Sequence, residues 1–74
     1  MPLIALTDMD RWWLQCWEIL ERHDGRPPTV RRLAAYTDRS LSSAHRALER
    51  LELAGILRRG EDGRFVRRSS GAVA

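Results

Sequence analysis

Residues 29–55, TVRRLAAYTDRSLSSAHRALERLELAG, decide the fold of this chain. Thr29 and Ser40 carry hydroxyl side chains of the kind that cap helix N-termini. Gly55 suits the left-handed position at which many helices end. These three residues divide the stretch into a short helix, a turn and a longer helix.

The predicted bounds are residues 30–37 for the short helix, Asp38-Arg39 for the turn and residues 41–54 for the longer helix. The apolar residues recur at helical spacing. Those predicted to face the core are Val30, Leu33, Ala34 and Tyr36 in the short helix and Leu41, Ala44, Leu48 and Leu51 in the longer one. Two helices joined by a turn of about three to four residues form a helix-turn-helix, in which the second helix enters the major groove of DNA.

A first helix is predicted upstream, over residues 8–22. Thr7 is its N-cap, and Asp10 stands where a capping box needs an acid. The helix carries three tryptophans, Trp12, Trp13 and Trp17. A core this small has little room for three indoles, so we expect one or two to be partly exposed. Two interpretations stay open: the indoles pack in or beside the core, or they form a dimer interface, with Leu3, Leu6, Trp13 and Trp17 as its candidate residues.

The residues after Gly55 predict a β-hairpin. Segments 56–59 and 64–68 have strand character, and Gly60-Glu61-Asp62-Gly63 between them fits a tight turn. A hairpin directly after the longer helix is the wing of a winged helix-turn-helix. This wing is basic, with Arg58, Arg59, Arg64, Arg67 and Arg68. We therefore predict a mainly α-helical winged helix-turn-helix of three helices and a two-stranded wing, with residues 7–68 as the domain, 1–6 as an apolar leader and 69–74 as a flexible tail.

The charge of the chain is divided unevenly. The net charge is +3 over 74 residues, and all 13 basic residues are arginine. Residues 1–24 contain two arginines and five acids, whereas residues 25–74 contain eleven arginines and five acids. Guanidinium groups suit phosphates and guanine edges. The second part of the chain is therefore suited to a polyanion, and the acidic first helix to a protein partner.

Several classes of protein are disfavoured by what the sequence lacks. No apolar run approaches a membrane span and no signal peptide is recognisable, so we expect a cytoplasmic, nucleoid-associated protein without a membrane role. Cys16 is the single cysteine, and no histidine spacing completes a metal site, so no cofactor or metal is expected. Ser42 and His45 lie one helical turn apart, but no oxyanion site or orienting carboxylate accompanies them. We expect no enzymatic activity.

The framework resembles a known family. Its residues are Gly25-Arg26-Pro27-Pro28-Thr29, Leu33-Ala34, Ser40, Ala47-Leu48-Glu49-Arg50-Leu51 and Gly55-Ile56-Leu57. This pattern, over about Thr7 to Arg68, is similar to the N-terminal winged helix-turn-helix domain of the LexA repressor family. The protease domain of that family and its self-cleavage are not implied, and the three-tryptophan helix departs from the pattern.

The resemblance and the helical faces indicate the same recognition helix. The expected base-reading or groove-lining residues are Ser40, Ser42, Ser43, His45 and Arg46, with Arg46 as the candidate for a bidentate guanine contact. The expected DNA backbone contacts are Thr29, Arg31, Arg32, Arg39 and Arg50, although an ion-pair role for Arg50 is equally open. The expected wing contacts are Arg58, Arg59, Arg64 and Arg67.

Together these features predict sequence-specific binding of double-stranded DNA. We expect a small transcriptional repressor of bacterial, phage or plasmid type that occupies an operator as a homodimer. Two alternatives remain at this stage. One is a protein-interaction or adaptor module that uses the acidic, tryptophan-rich first helix, and the other is a recombination accessory protein of a mobile element.

Overall fold

The computed structural model describes residues 5–68 and consists of three helices followed by a hairpin. The elements are α1 (Asp8–Asp24), α2 (Val30–Thr37), α3 (Leu41–Leu53), β1 (Leu57–Arg59) and β2 (Phe65–Arg67). The two strands are antiparallel, and Arg58 faces Val66 at the centre of the ladder. The predicted winged helix-turn-helix fold is confirmed. Leu3, most of the leader and the tail over residues 69–74 lie outside the described residues.

The helix ends follow the predicted capping residues. Thr7 accepts a hydrogen bond from the Asp10 N–H, and Asp10 accepts one from the Thr7 N–H, so the predicted capping box is formed. Thr29 and Ser40 cap α2 and α3 in the same manner. Helix α1 continues two residues beyond the predicted end, because Gly25 adopts the left-handed conformation, with φ 73°, only after Asp24.

The core lies where the three helices and the hairpin meet. Its largest fully buried side chains are Trp17, Phe65, Leu20, Leu33, Leu48, Leu51 and Leu57. Cys16 is also buried, and burial raises the pKa of its thiol. Leu6 packs against this core from outside α1.

The burial of the tryptophans favours one of the two interpretations left open. Trp13 is 5% exposed and Trp17 is fully buried, so both indoles pack in the core and neither is exposed as a candidate dimer-interface residue. Trp12 alone is half-buried, and its ring meets Trp13 edge-on with a centroid distance of 5.1 Å. The core accommodates two indoles because small residues, including Ala44 and Ala47, face it from α3.

Two residues predicted to lie in the core are exposed instead. Leu41 is 47% exposed and Tyr36 is 46% exposed. Helical side chains lean toward the N-terminus, so Leu41 in the first turn of α3 leans past the packed part of that helix. Tyr36 is one turn from the fully buried Leu33 but about 160° from the buried Ala34, so it lies at the edge of the buried strip, in the last turn of α2.

The turn between α2 and α3 contains a residue whose replacement should stabilise the fold. Asp38 adopts the left-handed conformation, with φ 57°, and its carboxylate stands at the negative C-terminal end of α2. Asparagine tolerates this conformation at least as well and carries no charge. We expect Asp38→Asn to raise the free energy of unfolding by about 0.5 kcal/mol, measured by urea denaturation followed by tryptophan fluorescence.

A matched control for Asp38→Asn is Glu61→Gln, which removes an exposed acid from the hairpin turn. It changes the net charge equally but lies at no helix end. If the free energy of unfolding rises equally in both variants, the effect is due to net charge rather than to the position of Asp38 at the end of α2.

Candidate nucleic-acid interface

The recognition helix α3 presents a polar, exposed face. Ser42, Ser43 and Arg46 are exposed, and His45 is half-buried. The hydroxyl of Ser40 accepts the Ser43 N–H at 3.0 Å and forms a second hydrogen bond with the Ser43 hydroxyl at 2.9 Å. Ser40 and Ser43 therefore organise the start of α3, while the side chains of Ser42 and Arg46 remain available to a ligand.

A shallow concavity runs along this face between α2 and α3. Its lining residues are Val30, Leu41, Ser42, His45, Arg46 and Glu49. His45 connects the concavity to the wing, because its ring meets the Phe65 ring edge-on with centroids 6.1 Å apart. The His45 Nδ1 lies 3.6 Å from a carboxylate oxygen of Glu49. The recognition helix and the wing are thus in direct contact.

Arg50 is held by an acid rather than presented to a ligand. Its Nε and Nη2 donate to the two carboxylate oxygens of Asp10 at 2.8 Å each. Arg50, together with the Thr7 hydrogen bonds, holds the pKa of Asp10 well below its usual range. This ion pair occupies the Arg50 guanidinium group and leaves it less available for the expected backbone contact than an unpaired arginine. The pair joins the first turn of α1 to α3.

Arg67 is likewise turned toward α1. Register places Arg67 opposite Leu57, on the side of the hairpin that faces the core. Its guanidinium group binds the Glu18 carboxylate and lies 5.9 Å from the centroid of the Trp17 ring. The ion pair with Glu18 leaves Arg67 less available for the expected DNA contact than an unpaired arginine.

Three further arginines carry partial restraints. Arg32 donates from Nε to Asp24 at 3.2 Å, and Arg32 with His23 lowers the pKa of that carboxyl. The Arg39 guanidinium group stacks over the Trp12 ring at 5.1 Å, and that of Arg59 over the Phe65 ring at 4.5 Å. A stacked guanidinium group keeps its N–H donors at the edge of the plane. Arg39 and Arg59 therefore remain competent to bind phosphate.

Arg64 connects the wing turn to the loop before α2. Its Nη1 donates to the Pro27 carbonyl at 3.3 Å, and its Nε lies 3.8 Å from the Asp62 carboxylate. The wing turn is therefore fixed against the loop that leads to Thr29. The Thr29 hydroxyl accepts the Arg32 N–H at 3.0 Å and retains its own proton for donation.

The remaining candidate arginines have no such partner within residues 5–68. These are Arg31 at the start of α2, Arg46 in the middle of α3 and Arg58 on the outer face of the hairpin. All three side chains are exposed. The structure thus divides the candidate arginines, which the sequence does not distinguish, into three groups. Some are held by acids, some stack on aromatic rings, and some have free guanidinium groups.

The uneven charge of the chain is partly balanced within the fold. Three ion pairs join acids of α1 to arginines of the basic remainder: Asp10 with Arg50, Asp24 with Arg32, and Glu18 with Arg67. These acids were the basis for expecting a protein partner at the first helix. Their internal pairing and the burial of Trp13 and Trp17 weaken that alternative.

Two features of the site were not predicted from the sequence. One is the exposure of Leu41 on this face of α3, and the other is the ion pair of Asp10 with Arg50, which joins α1 to α3. The helical spacing of Leu41 matched a core stripe, and only its position in the first turn could have signalled exposure.

Within the described residues, no group of three histidines, cysteines or acids could hold a metal ion. None of the helices described for residues 5–68 is long and apolar enough to cross a bilayer.

The three helices, the antiparallel hairpin and the exposed arginines define a winged helix-turn-helix domain of the DNA-binding class. A family model described as the MarR family matches residues 7–65, and the chain belongs to that family. Members are winged-helix transcription regulators that bind DNA, commonly as dimers. The match supports the predicted helix-turn-helix but not the resemblance to the LexA repressor family. No curated protein and no solved structure gives a significant match to the chain.

Proposed function

We propose that this protein is a sequence-specific regulator that represses transcription by occupying an operator. The observation that carries the proposal is Arg46, whose free guanidinium group lies on the exposed face of α3 between the short side chain of Ser42 and Arg50, which is bound to Asp10. In a helix-turn-helix this face enters the major groove. Arg46 would bind guanine O6 and N7 as a bidentate donor.

The neighbouring polar residues would complete the major-groove contact. Ser42 and Ser43 are short enough to let α3 approach the base edges, and His45 would contribute a polar contact beside the wing. Thr29, Ser40, Arg31, Arg32 and Arg39 would bind backbone phosphates around the starts of α2 and α3, where helix dipoles favour anions. Arg32 would do so only in part, since it is shared with Asp24.

The wing would add contacts from Arg58, Arg59 and Arg64. Arg58 lies on the outer face of the hairpin, and Arg59 keeps its donors free while stacked on Phe65. These residues would bind the phosphate backbone or the minor groove beside the recognition site. This arrangement assigns sequence reading to α3 and sequence-independent affinity to the wing.

We propose that the functional unit is a homodimer on an inverted repeat. One recognition helix reads only a few base pairs, and two copies related by a twofold axis double the contacts that specify the site. With Trp13 and Trp17 buried, the interface belongs elsewhere on the chain. Sedimentation equilibrium at micromolar concentration tests the assembly, and a monomer both free and on DNA would overturn it.

The experiment that tests the proposed function is a salt titration of DNA binding. Affinity is measured for a random duplex and for the best duplex selected from a random pool, at several salt concentrations. A DNA-binding regulator should show a steep, linear fall of log K with log salt and a clear preference for the selected duplex. If affinity shows neither the salt dependence nor the preference for the selected duplex, the proposal is overturned in favour of a protein-interaction module.

The contribution of the wing can be measured with a double substitution. We expect Arg59→Ala with Arg64→Ala to weaken binding to all duplexes alike and to reduce the slope of log K against log salt by about 1 to 2, because each phosphate contact contributes about 0.9. Arg67→Ala is the matched control, since this arginine of the same hairpin is bound to Glu18. A double variant whose slope equals that of the control would remove the wing from the phosphate contacts.

A further inference from the structure

Leu41 differs from the other exposed apolar residues in its surroundings. Large hydrophobic side chains are also exposed at Met9, Ile19, Tyr36 and Leu53, none of which lines the concavity between α2 and α3. Leu41 lies in this concavity together with Ser42, His45 and Arg46. It is thus an apolar residue, 47% exposed, on the face proposed to read bases.

A second concavity meets the first at the same residue. Its lining residues are Thr29, Val30, Arg31, Leu41, Asp62, Gly63 and Arg64. Leu41 and the half-buried Val30 are common to both concavities. Together they form a small apolar spot between the start of α2, the start of α3 and the wing turn.

Charge indicates which kind of partner covers this spot. The two concavities contribute Arg31 and Arg46, which have no ion pair within residues 5–68, and Arg64, whose Nε lies 3.8 Å from the Asp62 carboxylate. The Glu49 carboxylate lies 3.6 Å from the His45 ring. Two unpaired guanidinium groups and a third shared with Asp62 surround the two aliphatic side chains, and they favour a polyanion that also presents an apolar group. In the major groove of DNA, that group is the C5-methyl of thymine.

We propose that Leu41, supported by Val30, is a specificity-determining residue that contacts the methyl group of a thymine. This inference rests on the proposed function, because it requires α3 to lie in the major groove. The first turn of a recognition helix is the part that reaches base edges, and Leu41 is the first residue of α3. The contact would recognise thymine by burying its methyl group beside a guanine bound by Arg46.

Uracil provides the test, since it pairs as thymine does but lacks the methyl group. The best duplex from a random pool is prepared with thymine replaced by uracil at one position at a time, and its affinity is measured for the wild type, Leu41→Ala and Leu53→Ala. We expect one position at which uracil weakens wild-type binding about fourfold, which corresponds to about 0.8 kcal/mol for one buried methyl group. Leu41→Ala should reduce this effect to less than about 1.5-fold, because it removes most of the apolar contact.

Leu53→Ala is the matched control, because Leu53 is a 72% exposed leucine at the other end of α3. It should keep the full uracil effect. The inference is overturned, and the proposed function is left standing, by either of two results. In the first, the uracil effect persists in Leu41→Ala; in the second, the duplex binds with clear sequence preference and yet has no position that is sensitive to uracil. If Leu41→Ala changes the sedimentation of the free protein but not the uracil effect, the inference is overturned in favour of a contact between Leu41 and a protein. Absence of any sequence preference would overturn both.

Discussion

Asp10→Ala should lower the free energy of unfolding by about 2 kcal/mol, because hydrogen bonds to a charged group contribute about 1.5–3 kcal/mol. The substitution removes both bonds from Arg50, at 2.8 Å, and the capping-box bond from the Thr7 N–H, at 3.0 Å. The Asp10 carboxylate is enclosed, with its side chain 5% exposed. Arg50, at 48% side-chain exposure, returns to water without a large penalty, which keeps the expected loss moderate. Urea unfolding followed by tryptophan fluorescence measures the change.

Asp8→Ala is the matched control for this prediction. Asp8 lies in the same first turn of α1 and pairs with Arg11 at 3.6 Å, but its side chain is fully exposed. Both substitutions remove one acid from the positive end of the same helix, so their difference isolates the enclosed pair. Equal losses in the two variants would mean that Asp10 acts only through the helix dipole.

The acid dependence of stability gives an independent readout of the same pair. Arg50 and the Thr7 hydrogen bonds lower the pKa of Asp10 in the folded protein below the value near 4 of an unfolded chain. A depressed folded pKa contributes stability above the unfolded pKa, and this stability is lost as the pH falls below about 4. Asp10→Ala should therefore unfold with less acid dependence between about pH 5 and pH 2 than the wild type. Parallel profiles for the two proteins would contradict the role of the pair.

The parts of the fold that depend on neighbouring residues could be predicted from the sequence. Thr7, Thr29 and Ser40 each satisfy backbone N–H groups within one turn, so their effect is local and the helix starts follow. The bounds of α2 match the prediction, and α3 ends one residue early because Ala54 serves as its C-cap. The hairpin follows from its glycine-containing turn for the same local reason.

The roles of individual arginines could not be predicted in this way. Arg50 and Asp10 are 40 residues apart, and Arg67 and Glu18 are 49 apart. Such pairs depend on how α3 and the wing dock on α1, which the helical and strand periods do not determine. Composition therefore marked the second part of the chain as basic but did not show which guanidinium groups the fold would use internally.

Leu41 illustrates a second limit of periodicity. Its spacing from Leu48 and Leu51 matches a core stripe, yet those residues are fully buried and Leu41 is not. A helical period gives direction around the axis and says nothing about how far along the axis the packing extends. Residues in the first turn of a helix are therefore the ones for which burial is least determined by pattern.

Arg46→Ala should lower the preference for the selected duplex over a random duplex by about tenfold to a hundredfold, because a bidentate arginine to guanine contact discriminates by about 1–3 kcal/mol. Arg46 has no ion pair within residues 5–68, so the substitution leaves no acid unpaired. Its exposed position on α3 makes a loss of stability small. The measurement is the ratio of the two affinities for the wild type and the variant at one salt concentration.

Two further variants separate base reading from simple attraction to phosphate. Arg31→Ala removes another free guanidinium group, at the start of α2, and should weaken binding to both duplexes by the same factor. Arg46→Lys keeps the charge but loses the planar fork, and should retain affinity for the random duplex while losing most of the preference. If Arg46→Ala lowers both affinities equally, as Arg31→Ala is expected to do, then Arg46 binds the backbone and another residue of α3 reads the sequence. The ratio of affinities, rather than either affinity alone, therefore decides whether the free guanidinium group of α3 reads a base.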